Sequence, residues 1–215
     1  MSRLSLLMLL AVGSAARAGD EERRTFAVFV DRKPVGTSQM VIQSRDDGTL
    51  TVVSQADVTV KIAIITYKFS FRGTEIWKER KLQQLTTNTN DNGKRHAVSA
   101  EGNAEGMAVR ADGKEFQVKG EPWFTSYWKL PPENQRGPNV ALFDIDTGKL
   151  INAKMEKVGV EKISILGKPV ECAHYKLTGG VQVDVWYDGT DRLVRQESIE
   201  EGHRTILELT RLQRE

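Results

Sequence analysis

The feature that most restricts how this chain can fold is a two-residue alternation of large apolar and polar side chains, broken again and again by turn-forming pairs. Phe26, Val28 and Val30 alternate with Ala27, Phe29 and Asp31. Lys33-Pro34-Val35-Gly36 is then expected to turn the chain into a second strand through Ser38, Met40 and Ile42. Asp46-Asp47-Gly48-Thr49 has the composition of a hairpin turn leading into residues 50–53. A period of two is the signature of a strand with one face toward a core, and Asp-Gly or Asn-Gly pairs allow the positive φ that tight hairpins need. The same punctuation recurs at Asn92-Gly93, Asp112-Gly113, Gly179-Gly180, Asp188-Gly189 and Glu201-Gly202. Residues 161–166 and 170–178 flank Gly167-Lys168-Pro169 as a hairpin, and residues 193–199 and 204–212 form a last one. The reading is an all-β meander of about a dozen antiparallel strands, more than a flat sheet holds without curling.

Residues 58–71 carry a further signal. Val58, Val60, Ile62 and Ile64 share one parity, whereas Ile65, Tyr67, Phe69 and Phe71 share the other. A strand cannot move its large residues to the other face without an extra residue, so the switch predicts a β-bulge at Ile64-Ile65. A long bulged strand implies a strongly curved sheet, half-barrel or barrel-like. One short helix is expected to interrupt it. Trp123, Phe124, Tyr127 and Trp128 have i, i+3, i+4 spacing, Pro122 suits a first helical turn, and Pro131-Pro132 would end it.

The N-terminus has a secretory layout. Arg3 precedes a short apolar run, residues 4–12, and Ala16-Arg17-Ala18 places small residues where a signal peptidase reads them. The run is too short for the roughly 20 residues of a membrane span. The expected organisation is a signal peptide over residues 1–18, cut after Ala18, and one antiparallel β domain over 19–215, exported to the periplasm or the extracellular space. The whole chain has 31 Lys and Arg against 29 Asp and Glu. Loss of Arg3 and Arg17 with the leader leaves 29 of each, so no bulk field draws the mature chain to nucleic acid or anionic lipid.

Chemistry-bearing motifs are scarce. His96, His174 and His203 lie far apart, Cys172 stands alone, and no nucleophile elbow, phosphate loop, dinucleotide fingerprint or metal-ligand spacing is present. Asp144-Ile145-Asp146-Thr147-Gly148 superficially resembles an aspartic-protease loop, but Asp-Thr-Gly occurs once and that chemistry needs a carboxylate pair. A β-turn explains it better. The expectation is a protein without enzymatic activity, cofactor or metal. Two places suit a ligand or partner. Trp and Tyr combine apolar area with a polar tip, so Trp123, Phe124, Tyr127 and Trp128 could wall a cavity with Ile62, Ile64, Tyr67 and Phe69. Trp186 shares parity with Asp184 and Asp188, opposite Val181, Val183, Val185 and Tyr187, and is expected to be an exposed partner face.

Four segments carry a resemblance: residues 26–36, Ser126-Tyr127-Trp128, residues 142–148 and Val185-Trp186-Tyr187-Asp188. With them the mature chain resembles a family of exported bacterial proteins described as domain of unknown function family 6134. That resemblance brings no activity and no catalytic residue. At the level of fold, a curved antiparallel sheet closed by a short helix is also similar to periplasmic lipoprotein and lipid carriers, which implies a lipid or other apolar small molecule as ligand. The leading expectation is therefore non-catalytic binding of an apolar or amphipathic molecule in the cell envelope. The alternative is a structural or interaction protein with a filled core and the Trp186 face toward a partner.

Overall fold

A computed structural model describes residues 20–62, 65–200 and 202–215. The leader expected over residues 1–18 lies outside the described residues. In chain order the strands are β1 Glu21–Val30, β2 Lys33–Ser44, β3 Thr49–Ile62, β4 Ile65–Lys78, β5 Lys81–Asp91, β6 Lys94–Asn103, β7 Gly106–Ala111 and β8 Lys114–Lys119. They continue as β9 Trp123–Phe124, β10 Val140–Phe143, β11 Leu150–Ile165, β12 Lys168–Gly179, β13 Val183–Tyr187, β14 Leu193–Glu200 and β15 His203–Arg214. All 15 belong to one sheet ordered β8-β7-β6-β5-β4-β3-β2-β1-β15-β14-β13-β12-β11-β10-β9. The all-β class and the curved sheet thus hold, with 15 strands among the described residues rather than a dozen.

Local sequence explains the pairings. Tight turns with both central residues at positive φ join β1 to β2 through Asp31-Arg32 and β4 to β5 through Glu79-Arg80. The same geometry joins β5 to β6 through Asn92-Gly93 and β7 to β8 through Asp112-Gly113. This backbone twist matches the twist of the flanking strands. Lys33-Pro34-Val35-Gly36, expected as a turn, instead opens β2. Gly36 is required there because a Cβ would lie 2.1 Å from the carbonyl oxygen of Asp57 on β3. Within β5 burial follows the pleat at Leu85, Thr87 and Thr89, and Leu82 joins the same face across the register shift opposite Ile76/Trp77.

The parity switch in residues 58–71 has a different cause from the one expected. Ile64 lies outside the described residues, but Ile62 pairs with Ile65, Val60 with Tyr67 and Val58 with Phe69. The chain reverses here in a hairpin. In a hairpin with an even loop, paired residues have opposite parity, so one face changes parity without any bulge. Curvature comes from register shifts elsewhere, at Thr25/Phe26, Val28/Phe29, Ile76/Trp77, Lys157/Gly159 and Trp186/Tyr187.

The expected aromatic helix is absent. Trp123 and Phe124 form β9 and pair in parallel with Leu142 and Phe143 of β10. The chain then turns, with Tyr127 N–H donating to the carbonyl of Phe124 at 3.1 Å and Tyr127 itself at φ +46°, which no α-helix permits. Trp123 and Tyr127 still touch edge to face, with centroids 4.9 Å apart, so a turn supplies the i, i+4 contact that suggested a helix. The helical geometry among the described residues is one 3₁₀ turn, Glu133–Gln135.

Two cores fill the curved sheet. One gathers Phe26, Trp123, Tyr127, Leu142, Leu177, Val185, Tyr187 and Leu209 from β1 and β9–β15. The other gathers Phe71, Leu85, Val98, Met107, Val109 and Val118 from β4–β8, with Phe124, Phe143 and Ile145 reaching in from the far end of the sheet. The two edge strands, β8 and β9, do not pair with each other. Side chains and a loop close the gap instead. Thr87 Oγ1 donates to the carbonyl of Ile145 at 2.6 Å, Thr89 Oγ1 donates to Asp146 at 3.2 Å, and Gly148 packs beside Ala111.

Candidate functional site

The segment after β9 is bolted down by three successive carbonyls. Tyr187 Oη donates to the carbonyl of Tyr127 at 3.0 Å, Arg24 Nη1 to that of Trp128 at 2.6 Å, and Trp123 Nε1 to that of Lys129 at 3.2 Å. Arg24 and Arg192 are both buried and share Glu22, whose Oε1 accepts from Arg24 at 2.7 Å and from Arg192 at 3.1 Å. Burial opposes the charge of Glu22, but Arg24, Arg214 and Arg192 together hold its carboxyl below the usual range. A segment rich in aromatic and proline residues is thereby fixed at the backbone, leaving its side chains to form a surface.

That surface is one wall of a cleft of about 390 Å³. Trp123, Phe124, Trp128, Leu130 and Pro131 face Trp77 and Leu50 across it. Trp77 meets Phe124 edge to face at 5.1 Å and Trp128 at 6.3 Å. Glu79 and Arg80 of the β4–β5 turn form the rim with Lys81, Glu121 and Lys129. Lys78-Glu79-Arg80-Lys81 is thus a hairpin corner that frames an aromatic opening.

Behind the aromatic wall lies the most unusual polar group of the fold. Glu75 points inward from β4 and is only 2% exposed. Its Oε2 accepts the indole hydrogen of Trp77 at 2.9 Å, while Oε1 has no hydrogen-bond partner. Ser126, which lines the cleft, has a buried Oγ that is likewise unpartnered. Burial pushes the carboxyl of Glu75 up to about 7, partly offset by the nearby Ser126, Trp77 and Trp128. A buried carboxyl oxygen and a buried hydroxyl that meet no partner at hydrogen-bond geometry are costly in a folded interior, and such sites cluster where a ligand completes them.

The residues expected to form one cavity separate. Trp123, Phe124 and Trp128 line the cleft, but Tyr127 turns into the first core at 3% exposure. Tyr67 and Phe69 sit toward the β3–β4 hairpin, Tyr67 at the surface and Phe69 against the second core. Ile64 is outside the described residues, as is the side chain of Ile62. Glu75, Trp77 and Ser126 were missed. An acid on the same parity as Phe71, Gly73 and Trp77 was the available signal, since an inward-facing strand position rarely carries a carboxylate.

Trp186 is not an exposed ring. It is 7% exposed, stacked on His174 with centroids 4.2 Å apart, and lies under the Arg195 guanidinium at 5.5 Å. Its indole N–H donates to Glu161 at 3.0 Å. His174 stands between Glu161 Oε1, 2.8 Å from Nδ1, and Asp184 Oδ1, 2.7 Å from Nε2. Asp188 pairs with Arg192 at 3.2 Å. Parity alone assigned the ring to the outer face; long polar neighbours cover it there. Among the described residues no group of three or more His, Cys, Asp or Glu side chains is arranged to hold a metal ion, and no helix is long and apolar enough to cross a membrane. Asp144 makes a turn, accepting from the backbone N–H of Asp146 at 3.0 Å and from Thr147 Oγ1 at 2.5 Å.

A single open sheet rolled around two cores, with an aromatic cleft where its far end folds back, defines a β-barrel-like protein. The chain belongs to the family described as a domain of unknown function (DUF6134), which matches residues 26–210. No curated protein matches the sequence. Seven chains of solved structures match. One is a beta-barrel-like protein of a domain of unknown function, DUF1849, from Brucella abortus, with TM-score 0.65 and 10% identity over 94% of this chain and 100% of that one. At that identity the likeness is one of fold.

Proposed function

We propose that this is a non-catalytic protein of the cell envelope that binds an apolar or amphipathic small molecule in the aromatic cleft. The observation that carries the reading is the wall of Trp77, Trp123, Phe124 and Trp128 around about 390 Å³ of space, on a backbone anchored at three consecutive carbonyls. Ligand pockets of proteins run from roughly 300 to 1,000 Å³ and combine apolar walls with few polar groups. Because two cores fill the interior, the ligand lies in the cleft and not inside the barrel-like sheet. Lipid-carrier-like binding here means one chain or ring system held at the mouth.

The test is to purify the exported protein from its native compartment, extract it with organic solvent and analyse the extract by mass spectrometry. A stoichiometric amphiphile in the wild type that is lost from Trp128→Ala is expected. Identical extracts from both proteins overturn the reading. N-terminal sequencing of the same material checks export: a chain beginning at Gly19 is expected, and one retaining Met1 overturns it.

A further inference from the structure

We propose that the cleft selects an organic ammonium ion on an apolar body, its head group held by the Glu75 carboxylate and the Ser126 hydroxyl. The inference rests on the cleft being a ligand site and names the chemistry of the ligand.

Three observations lead to it. Glu75 Oε1 and Ser126 Oγ are buried and neither meets a partner at hydrogen-bond geometry, although the Ser126 hydroxyl and the Trp128 indole lie close enough to Glu75 to offset its raised carboxyl. A primary ammonium brings three donors and no acceptor, which matches two buried acceptors. Among the described residues no cation pairs with Glu75. Its strand neighbours Val52 and Leu85 are apolar and fully buried. The charged groups around the site are the rim residues Glu79, Arg80, Lys81, Glu121 and Lys129, and Arg24 behind Trp128; no ion pair joins any of them to Glu75 among the described residues. The walls are also indole and phenyl rings, and a cation within reach of aromatic faces gains where a neutral or anionic head does not.

The route to the carboxyl is short. Ser126 already lines the cleft, and Glu75 lies just behind it, so a head group reaches the carboxyl once the half-buried Trp128 ring moves aside from Trp77. Glu75 is protonated below about pH 7, so an ammonium that enters in that range displaces the carboxyl proton to solvent. The balance is one cation bound for one proton released.

The experiment is calorimetric titration of the full mature protein with decylammonium, decanol and decanoate, each below its micelle concentration. Decylammonium is expected to bind at least tenfold more tightly than the other two at pH 8. It should bind about tenfold more weakly at pH 6, where titrations in buffers of different ionisation heat report close to one proton released. Glu75→Gln, which keeps the size and the acceptor for Trp77, should abolish both the preference and the proton release. Ser126→Ala should weaken decylammonium alone. Tighter decanoate, held by Arg80, Lys81 and Lys129, or three equal affinities, overturns the inference and leaves the cleft a ligand site. Failure of all three to bind overturns the cleft reading as well.

Discussion

Trp77 donates its indole hydrogen to Glu75, two positions earlier on the same face of β4, across 2.9 Å. The bond satisfies one carboxyl oxygen and leaves the other without a partner at 2% exposure. Folding therefore raises the carboxyl from an ordinary value near 4.5 to about 7. A carboxyl raised on folding binds its proton more tightly in the native state. Its contribution is full below the unfolded value and is lost as pH climbs through the native one. Between pH 5 and 8 the wild type should lose about 2–3 kcal/mol through this group. Urea unfolding of Glu75→Gln over the same range should lack that loss; parallel curves for the two proteins would refute the assignment.

Asp146 should act in the same direction. Burial and then the charge of Asp144 push its carboxyl up to about 7. Asp146→Asn is expected to flatten the remaining fall of stability with pH, measured by the same unfolding series. A mutant with an undiminished slope would show that the loop keeps Asp146 wet.

Tyr187 holds the cleft wall from behind without lining it. Its hydroxyl is fully buried and bonds the carbonyl of Tyr127. Tyr187→Phe should cost about 1–3 kcal/mol in thermal or urea unfolding, the usual consequence of leaving a buried acceptor unpaired. No change in stability would mean that another donor takes over the carbonyl.

Two glycines with the same backbone conformation should respond differently. Gly113 sits at φ +81° with open space around a would-be Cβ, whereas Gly148 at φ +74° would place that atom 2.5 Å from Cβ of Ala111. Gly113→Ala should cost about 1 kcal/mol from backbone strain alone. Gly148→Ala should cost clearly more, because the loop that closes the sheet must back away from β7. Equal losses in unfolding would deny the loop that closing role.

How much of this was legible depended on whether a signal had one physical cause or two. Alternation at Phe26, Val28 and Leu82 can only mean a strand with one buried face, and Asn92-Gly93 can only mean a tight corner, so the sheet was readable. The parity switch near Ile65 had two causes, a bulge and a two-residue hairpin, and pattern alone does not separate them. Trp123 and Tyr127 touch as i, i+4 residues do in a helix, but a left-handed Tyr127 achieves that contact in a turn. The aromatic half of the cleft was thus found for an incorrect reason. Its other side, Trp77 with Glu75 behind it, comes from a strand about fifty residues earlier that does not pair with β9, and only the rolling of the whole sheet brings the two together.

Cys172 offers a check on the first core. Burial raises its thiol to about 11, and the side chain is 1% exposed. A thiol reagent at pH 8 should leave native protein unmodified and label one site per chain in denaturant. Rapid labelling of native protein would place that end of β12 at the surface.

The ladder between β1 and β15 ties residues such as Glu22 and Arg214 together across almost the whole chain, while every other ladder in the sheet joins consecutive strands. Local hairpins can form as soon as their turns do, whereas this seam must wait for both meanders. Assembly is therefore expected to run as two independent zippers that meet at a final stitch. The rate of that last step, and not of any hairpin, sets how long the newly made chain leaves β1 and β15 as bare edges.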